Sequence, residues 1–140
     1  MKYAEIQPYL FFGGRCDEAI GFYKAALGAQ VVMLMRFNES PEPLPDGMMP
    51  PGFENKVLHA VLNIGGATLM LSDGLGKTQD FNAFSLSFAV KTEADADEVF
   101  NALAKGGKIS TPIGKTFWSP RFGALEDRFG VSWMINVVAE

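Results

Sequence analysis

Few residues in this chain are equipped for chemistry. His59 is its one histidine. An imidazole exchanges protons near neutral pH, so it can act as a general base or hold a ligand by a hydrogen bond; on a half-buried strand it can equally pair with a backbone carbonyl. Cys16 is the one cysteine. The start of a helix favours a thiolate, but neither a CxxC pair nor a nearby histidine accompanies Cys16, and a small buried or capping residue is the simpler reading. A serine-histidine-acid triad would need a nucleophile elbow, and the sequence has none. Phe117, Trp118, Arg121 and Phe122 combine aromatic surface with a fixed cation. Such residues wall small-molecule pockets, Arg121 orienting an anionic or planar ligand, and the same rings can also plug the open end of a sheet.

Composition narrows the field further. With 140 residues, 48% of them hydrophobic, the chain can bury the core of one globular domain without staples. Twelve basic and sixteen acidic residues leave a net charge of −4, which provides no basic field for nucleic acid or an anionic membrane. One cysteine permits neither an intrachain disulfide nor a cysteine-based zinc site, and it suits a reducing compartment. The first residues turn acidic and aromatic before a signal core can form, and no apolar run approaches the roughly twenty residues of a membrane span. A soluble, cytoplasmic protein is expected.

The elements that must position these side chains follow from periodicity. Residues 6–12 read as a strand and residues 16–27 as a helix, with Ala19, Ile20, Tyr23, Ala26 and Leu27 at helical spacing. Asp17 and Glu18 suit the helix start, and Gly28 its end. Residues 31–37 form a second strand, and 57–64 and 67–72 a hairpin turning at Gly65-Gly66. Between them, residues 38–53 hold Pro41, Pro43, Pro45, Pro50 and Pro51, too many for a regular element but suited to a lid, a partner-contact loop or a plain connection. The order then repeats: strand 84–90, helix 93–105, strand 108–111, a long connection, and a hairpin of 122–127 and 131–138. Glu93, Asp95, Asp97 and Glu98 read as helix N-terminal and solvated charges.

Strand alternation sorts the side chains by face. Gln7, Tyr9 and Phe11 share one face; so do His59, Val61 and Asn63; Thr68, Met70 and Ser72; Ser85, Ser87 and Ala89; and Ser132, Met134 and Asn136. The opposite faces are apolar and call for helices, which leaves the mixed faces to line a semi-polar concavity.

The stretches PYLFFGGRCDEAIGFYKAALGA, LHAVLNIGGATLMLSDG and FWSPRFGALEDRFGVSWMINV, with Phe22-Tyr23 ahead of Leu27-Gly28, resemble the vicinal oxygen chelate superfamily of glyoxalases, bleomycin-resistance proteins and extradiol dioxygenases. The pair of runs Trp118…Arg121-Phe122-Gly123 and Asp127-Arg128-Phe129-Gly130 is similar to its PhnB-like branch. The resemblance implies an α+β fold in which two βαβββ modules, about 1–74 and 82–140 with a linker at 75–81, form one glyoxalase-like domain. Their curved mixed sheets would enclose a shared cavity, and the protein would be a homodimer. Metal-dependent members place ligands on the first and fourth strands of each module. The matching positions are Gln7, Met70, Ser85 and Met134, with Asn136 one alignment step away. An amide, a hydroxyl and two thioethers do not make a site for a hard or borderline divalent ion, so neither a metal nor another cofactor is expected. The expected ligand-binding set is Gln7, Tyr9, His59, Met70, Ser85, Trp118, Arg121, Phe122, Met134 and Asn136. Three functions stay open: metal-free binding of a small molecule, a metal-assisted lyase or dioxygenase, and a structural domain. The methyltransferase name carried by some of this branch finds no glycine-rich loop followed by an acidic residue and no doubly wound order.

Overall fold

The computed structural model describes residues 5–76, 80–81 and 83–138. Residues 1–4, which belong to the start expected to lack a signal core, residues 77–79 of the expected linker, residue 82 at the expected start of the second module, and residues 139–140 lie outside these. The chain divides into two compact units, residues 1–79 and 80–140. Among the described residues, each has one α-helix and one four-stranded mixed sheet in the order β-α-β-β-β. No helix among the described residues is long and apolar enough to cross a membrane.

In the first unit β1 (Tyr9–Phe11), α1 (Cys16–Leu27), β2 (Gln30–Arg36), β3 (Val57–Ile64) and β4 (Ala67–Ser72) build a sheet of order β1-β4-β3-β2. β1 runs parallel to β4 and the other neighbours are antiparallel. A parallel relation needs a crossover, and α1 provides it by carrying the chain from one sheet edge to the other. Its inner face buries Cys16, Ala19, Ile20 and Tyr23, opposite Ala60, Leu62 and Ile64 of β3 and Leu69 and Leu71 of β4. Each fully buried leucine contributes about 1.5–3 kcal/mol relative to exposure. The helix ends on Gly28, whose φ of 67° is left-handed and costs little without a Cβ.

β1 starts three residues later than expected. Pro8 has no N–H to give to a ladder, and its carbonyl instead accepts from Met70 N at 3.0 Å, while Ile6 is fully exposed. Phe37 also leaves its strand, entering a 3-10 turn, Phe37–Glu39, in which Glu39 Oε1 accepts from Arg36 N at 2.8 Å.

In the second unit β5 (Leu86–Val90), α2 (Glu93–Ala104), β6 (Lys108–Gly114), β7 (Phe122–Glu126) and β8 (Ser132–Val137) repeat the plan with sheet order β5-β8-β7-β6. Thr92 caps α2, its Oγ1 accepting from Asp95 N at 3.0 Å, and the helix buries Ala96, Phe100 and Leu103. Its approach to the sheet explains Gly123: a Cβ there would stand 2.6 Å from Cε2 of Phe100 and 3.0 Å from Cα of Ile113. β6 outruns its expected end at Thr111 and includes Pro112. It is an edge strand paired only with β7, and its register shifts on both sides of Thr111; an edge tolerates a residue that cannot donate.

Candidate functional site

In both sheets the face away from the helix is the mixed one. Along β8 burial alternates strictly, with Ser132, Met134 and Asn136 half-buried between buried neighbours, and along β3 it alternates from His59 onward, with His59, Val61 and Asn63 half-buried and Ala60, Leu62 and Ile64 buried. In the first unit, register aligns Tyr9, Met70, Val61 and Met33 in one row across β1, β4, β3 and β2, and sets Met35 beside His59. Aromatic and thioether groups therefore dominate the surface around His59.

Tyr9 Oη lies 2.8 Å from His59 Nδ1, and the Tyr9 ring stacks on Phe11 at 4.8 Å with planes 5° apart. Burial holds the phenol's pKa above its ordinary value, the Cys16 thiol adds to that, and a hydrogen bond with Ser72 opposes it. The phenol thus keeps its proton at neutral pH. When it donates to Nδ1, the neutral ring carries its own proton on Nε2; an imidazolium must reverse the bond. Of the expected residues on this sheet, Tyr9, His59 and Met70 come together. Gln7 stands ahead of β1, half-buried and outside the strand.

In the second unit Asn136 has Ala89 on one side and Phe122 on the other in the ladder. Trp118 packs edge-on against Phe122 at 5.3 Å and Phe117 at 4.7 Å, with the Trp118 ring about half exposed at 52%. The connection that presents it is fixed by buried Ser119, whose Oγ lies 2.9 Å from the Arg121 carbonyl and 3.0 Å from that of Val137. Asn136 Oδ1 is buried and has no hydrogen-bond partner among the described residues. A buried acceptor left unpaired costs about 1–3 kcal/mol, so Asn136 Oδ1 calls for an explanation that the fold around it does not supply. Met134 sits one alternation along, and Ser85 Oγ is 2.7 Å from Ser132 Oγ beside it.

Arg121 lies on the other face. It shares parity with Gly123 on the helix side of β7, and its Nε donates to Asp97 Oδ1 of α2 at 2.7 Å. Alternation sends Arg121 and Phe122 to opposite faces, so the cation braces the helix while the aromatic wall stays on the open side. Asp97 is therefore an ion-pair partner rather than merely a solvated charge.

Cys16 is fully buried. Desolvation, then the Asp73 and Asp17 carboxylates, push its thiol strongly upward, only partly offset by Arg36, so it is no thiolate. Asp73, also buried, accepts from Gly14 N and Cys16 N through Oδ1 at 2.8 Å each and from Val57 N through Oδ2 at 2.9 Å. The start of α1, which follows a strand and Gly13-Gly14 in the manner of an anion cradle, is taken up by the protein's own carboxylate. Asp127 does similar work, accepting from Phe129 N, Val131 N and Trp133 Nε1 at 2.9, 3.1 and 2.9 Å. The motif around Asp127-Arg128-Phe129-Gly130 is thus a turn-building device. The proline-rich connection packs on the first unit, Phe53 against Phe37 at 6.0 Å, and encloses a small hollow of about 170 Å³ lined by Phe37, Pro43, Leu44 and Met49 among others.

The superfamily's divalent ion does not fit the donors present. Gln7 and Met70 offer an amide and a thioether, Ser85 and Met134 a hydroxyl and a thioether, and Ser85 already engages Ser132. No group of three or more His, Cys, Asp or Glu side chains able to hold a metal occurs among the described residues. Sequence reasoning missed Met33 and Met35, whose face could not be assigned because β2 carries register shifts. It also missed Asp73 and Ser119, whose roles rest on backbone groups distant in sequence, and Glu126, which register places opposite Ser132.

Comparison with known proteins agrees with this architecture. Protein YjdN of Escherichia coli strain K12 is 36% identical over 144 residues, covering 96% of both chains. The crystal structure of protein PA1353 from Pseudomonas aeruginosa superposes with a TM-score of 0.84 at 38% identity, covering 99% of this chain and 100% of that one. A Bacillus cereus protein described as a putative 3-demethylubiquinone-9 3-methyltransferase, PhnB protein, gives a TM-score of 0.78 at 31% identity, covering 96% of this chain and all of its own. The family model of the glyoxalase/bleomycin resistance protein/dioxygenase superfamily matches residues 5–135. With the repeated βαβββ plan spanned almost end to end by that match, the chain belongs to the glyoxalase/bleomycin resistance protein/dioxygenase superfamily and has PhnB-like proteins among its structural neighbours.

Proposed function

We propose that this chain acts as one glyoxalase-like domain that binds a small molecule on the helix-free faces of its sheets, without the superfamily's metal centre. The observation that carries the reading is Asn136 Oδ1: a buried acceptor with no partner, on the mixed face, beside the Phe122 and Trp118 rings. A ligand with an apolar body would gain by burial against aromatic and thioether groups, while one or two polar atoms fix its orientation. The Tyr9–His59 pair offers a second such anchor on the other sheet. A metal-assisted lyase or dioxygenase is less favoured because the positions matching the ligands carry amide, hydroxyl and thioether donors. The methyltransferase description of the Bacillus cereus relative finds no support in the α1 start, whose amides Asp73 already occupies. The working protein is a homodimer in the cytoplasm, and light scattering that reports only monomer would count against the dimer.

A thermal-shift screen of chelator-treated protein against small aromatic and phosphonate compounds tests the reading. Hits whose stabilisation is lost in Asn136→Leu, Trp118→Ala or His59→Ala, but not in Cys16→Ser, are expected. Hits that survive all three of the first variants would reject the assigned faces.

A further inference from the structure

A hollow of about 520 Å³ lies within the second unit, and Phe81, Phe84, Ser85, Glu126, Ser132 and Met134 are among its lining residues. Its construction is local. β7 ends on Glu126, register sets Glu126 opposite Ser132 at the start of β8, and alternation keeps Ser132 and Met134 on the same helix-free face. The segment ahead of β5 delivers Ser85, bonded to Ser132 at 2.7 Å, and the Phe84 ring, which is 48% exposed.

The chemistry of this lining has one sign. Glu126 is the ionisable group of the hollow, and none of the ion pairs among the described residues involves it. Lys108 of β6 is its direct partner in the ladder but does not come within 4.0 Å of its carboxylate. Aromatic rings present negative π-faces to a cation. The hydroxyl pair keeps oxygen lone pairs for N–H donors, and Met134 gives a polarizable apolar floor. An anion would meet a carboxylate and ring faces, and a neutral apolar body would gain nothing from the exposed Glu126 carboxylate.

We propose that this hollow takes an organic ammonium carrying an apolar body, its charged head at Glu126 and the Ser85–Ser132 pair and its body against Phe84 and Met134. The proposal rests on the reading of the helix-free face as a small-molecule site and adds the class of ligand.

The test is a titration followed by NMR at the Ser132 and Met134 amides with three probes of similar size: 2-phenylethylammonium, the neutral 2-phenylethanol and the anionic phenylacetate. The ammonium should bind about threefold to tenfold more tightly than the alcohol, and the acetate most weakly. Glu126→Gln should remove that advantage and leave the alcohol unchanged, whereas Lys108→Gln should strengthen ammonium binding. Equal affinity of ammonium and alcohol, or an unchanged ammonium affinity in Glu126→Gln, overturns the proposal. If the alcohol or acetate saturates these amides while the ammonium does not, the amine assignment fails and the small-molecule reading of the face stands. If no probe reaches the hollow while screening hits bind at Asn136 or His59, the proposal fails and that wider reading survives. If screening also finds no hits, both fail.

Discussion

Tyr9 on edge strand β1 and His59 on β3 join through a 2.8 Å contact between Oη and Nδ1 that passes over the intervening strand β4. Because His59 is the one histidine of the chain, its ring nitrogens can be observed without overlap. The phenol keeps its proton, so the neutral ring should carry its hydrogen on Nε2 with Nδ1 as acceptor. A long-range nitrogen–proton NMR spectrum should show this tautomer in the wild type and a shift towards a mixture in Tyr9→Phe. An identical pattern in the two proteins would mean that the contact does not set the tautomer.

Asn136 separates stability from function. Replacing it with leucine removes a buried acceptor that has no partner, so urea unfolding of the ligand-free protein should show no loss, or a gain of up to about 1–2 kcal/mol. Binding of screening hits should fall about fivefold or more. A loss of stability above roughly 2 kcal/mol would show that Oδ1 is satisfied within the fold, as a structural residue's would be.

Much of this architecture was legible because hydrophobic period and turn chemistry agree along most of the chain. The two helices, the hairpin at Gly65-Gly66 and the faces of β3, β4 and β8 follow from local pattern alone. What escaped depends on partners remote in sequence. Pro8 shortens β1, Pro112 survives because β6 lies at an edge, and the Arg121 side chain is claimed by Asp97, 24 residues earlier. Its ion pair has no local signature, because a cation next to aromatic residues reads as a ligand anchor and only strand parity separates it from Phe122. Likewise, a pairing such as Tyr9 with His59, 50 residues apart, has no local signature.

Gly123 is set by a close approach rather than by backbone conformation. Gly123→Ala would force its Cβ into the Phe100 ring and the Ile113 backbone, and overpacking of this kind costs about 1–3 kcal/mol. Denaturant unfolding should show that loss, and pairing the change with Phe100→Leu should recover part of it. A neutral Gly123→Ala would mean that α2 packs more loosely on β7 than described.

Cys16 links stability to alkaline pH. Its folded-state pKa is raised, so the folded protein retains a proton that the unfolded chain releases above about pH 9. Its stabilising contribution is intact below that pH and is lost as pH climbs from the unfolded towards the folded value. The slope is on the order of 1 kcal/mol per pH unit. Urea unfolding at pH 8, 9 and 10 should show this decline in the wild type and a shallower one in Cys16→Ala. Parallel slopes would place the thiol in contact with solvent.

The claim at the centre of this account is that ligand binding needs no metal, and one measurement addresses it directly. A hit from the aromatic and phosphonate panel is titrated by ligand-detected NMR into chelator-treated protein, and again after incubation with nickel, zinc, manganese or iron, with elemental analysis of each sample. The predicted result is an affinity that agrees within about twofold in all samples and that is lost in Asn136→Leu. Binding that emerges only with stoichiometric metal uptake would contradict it.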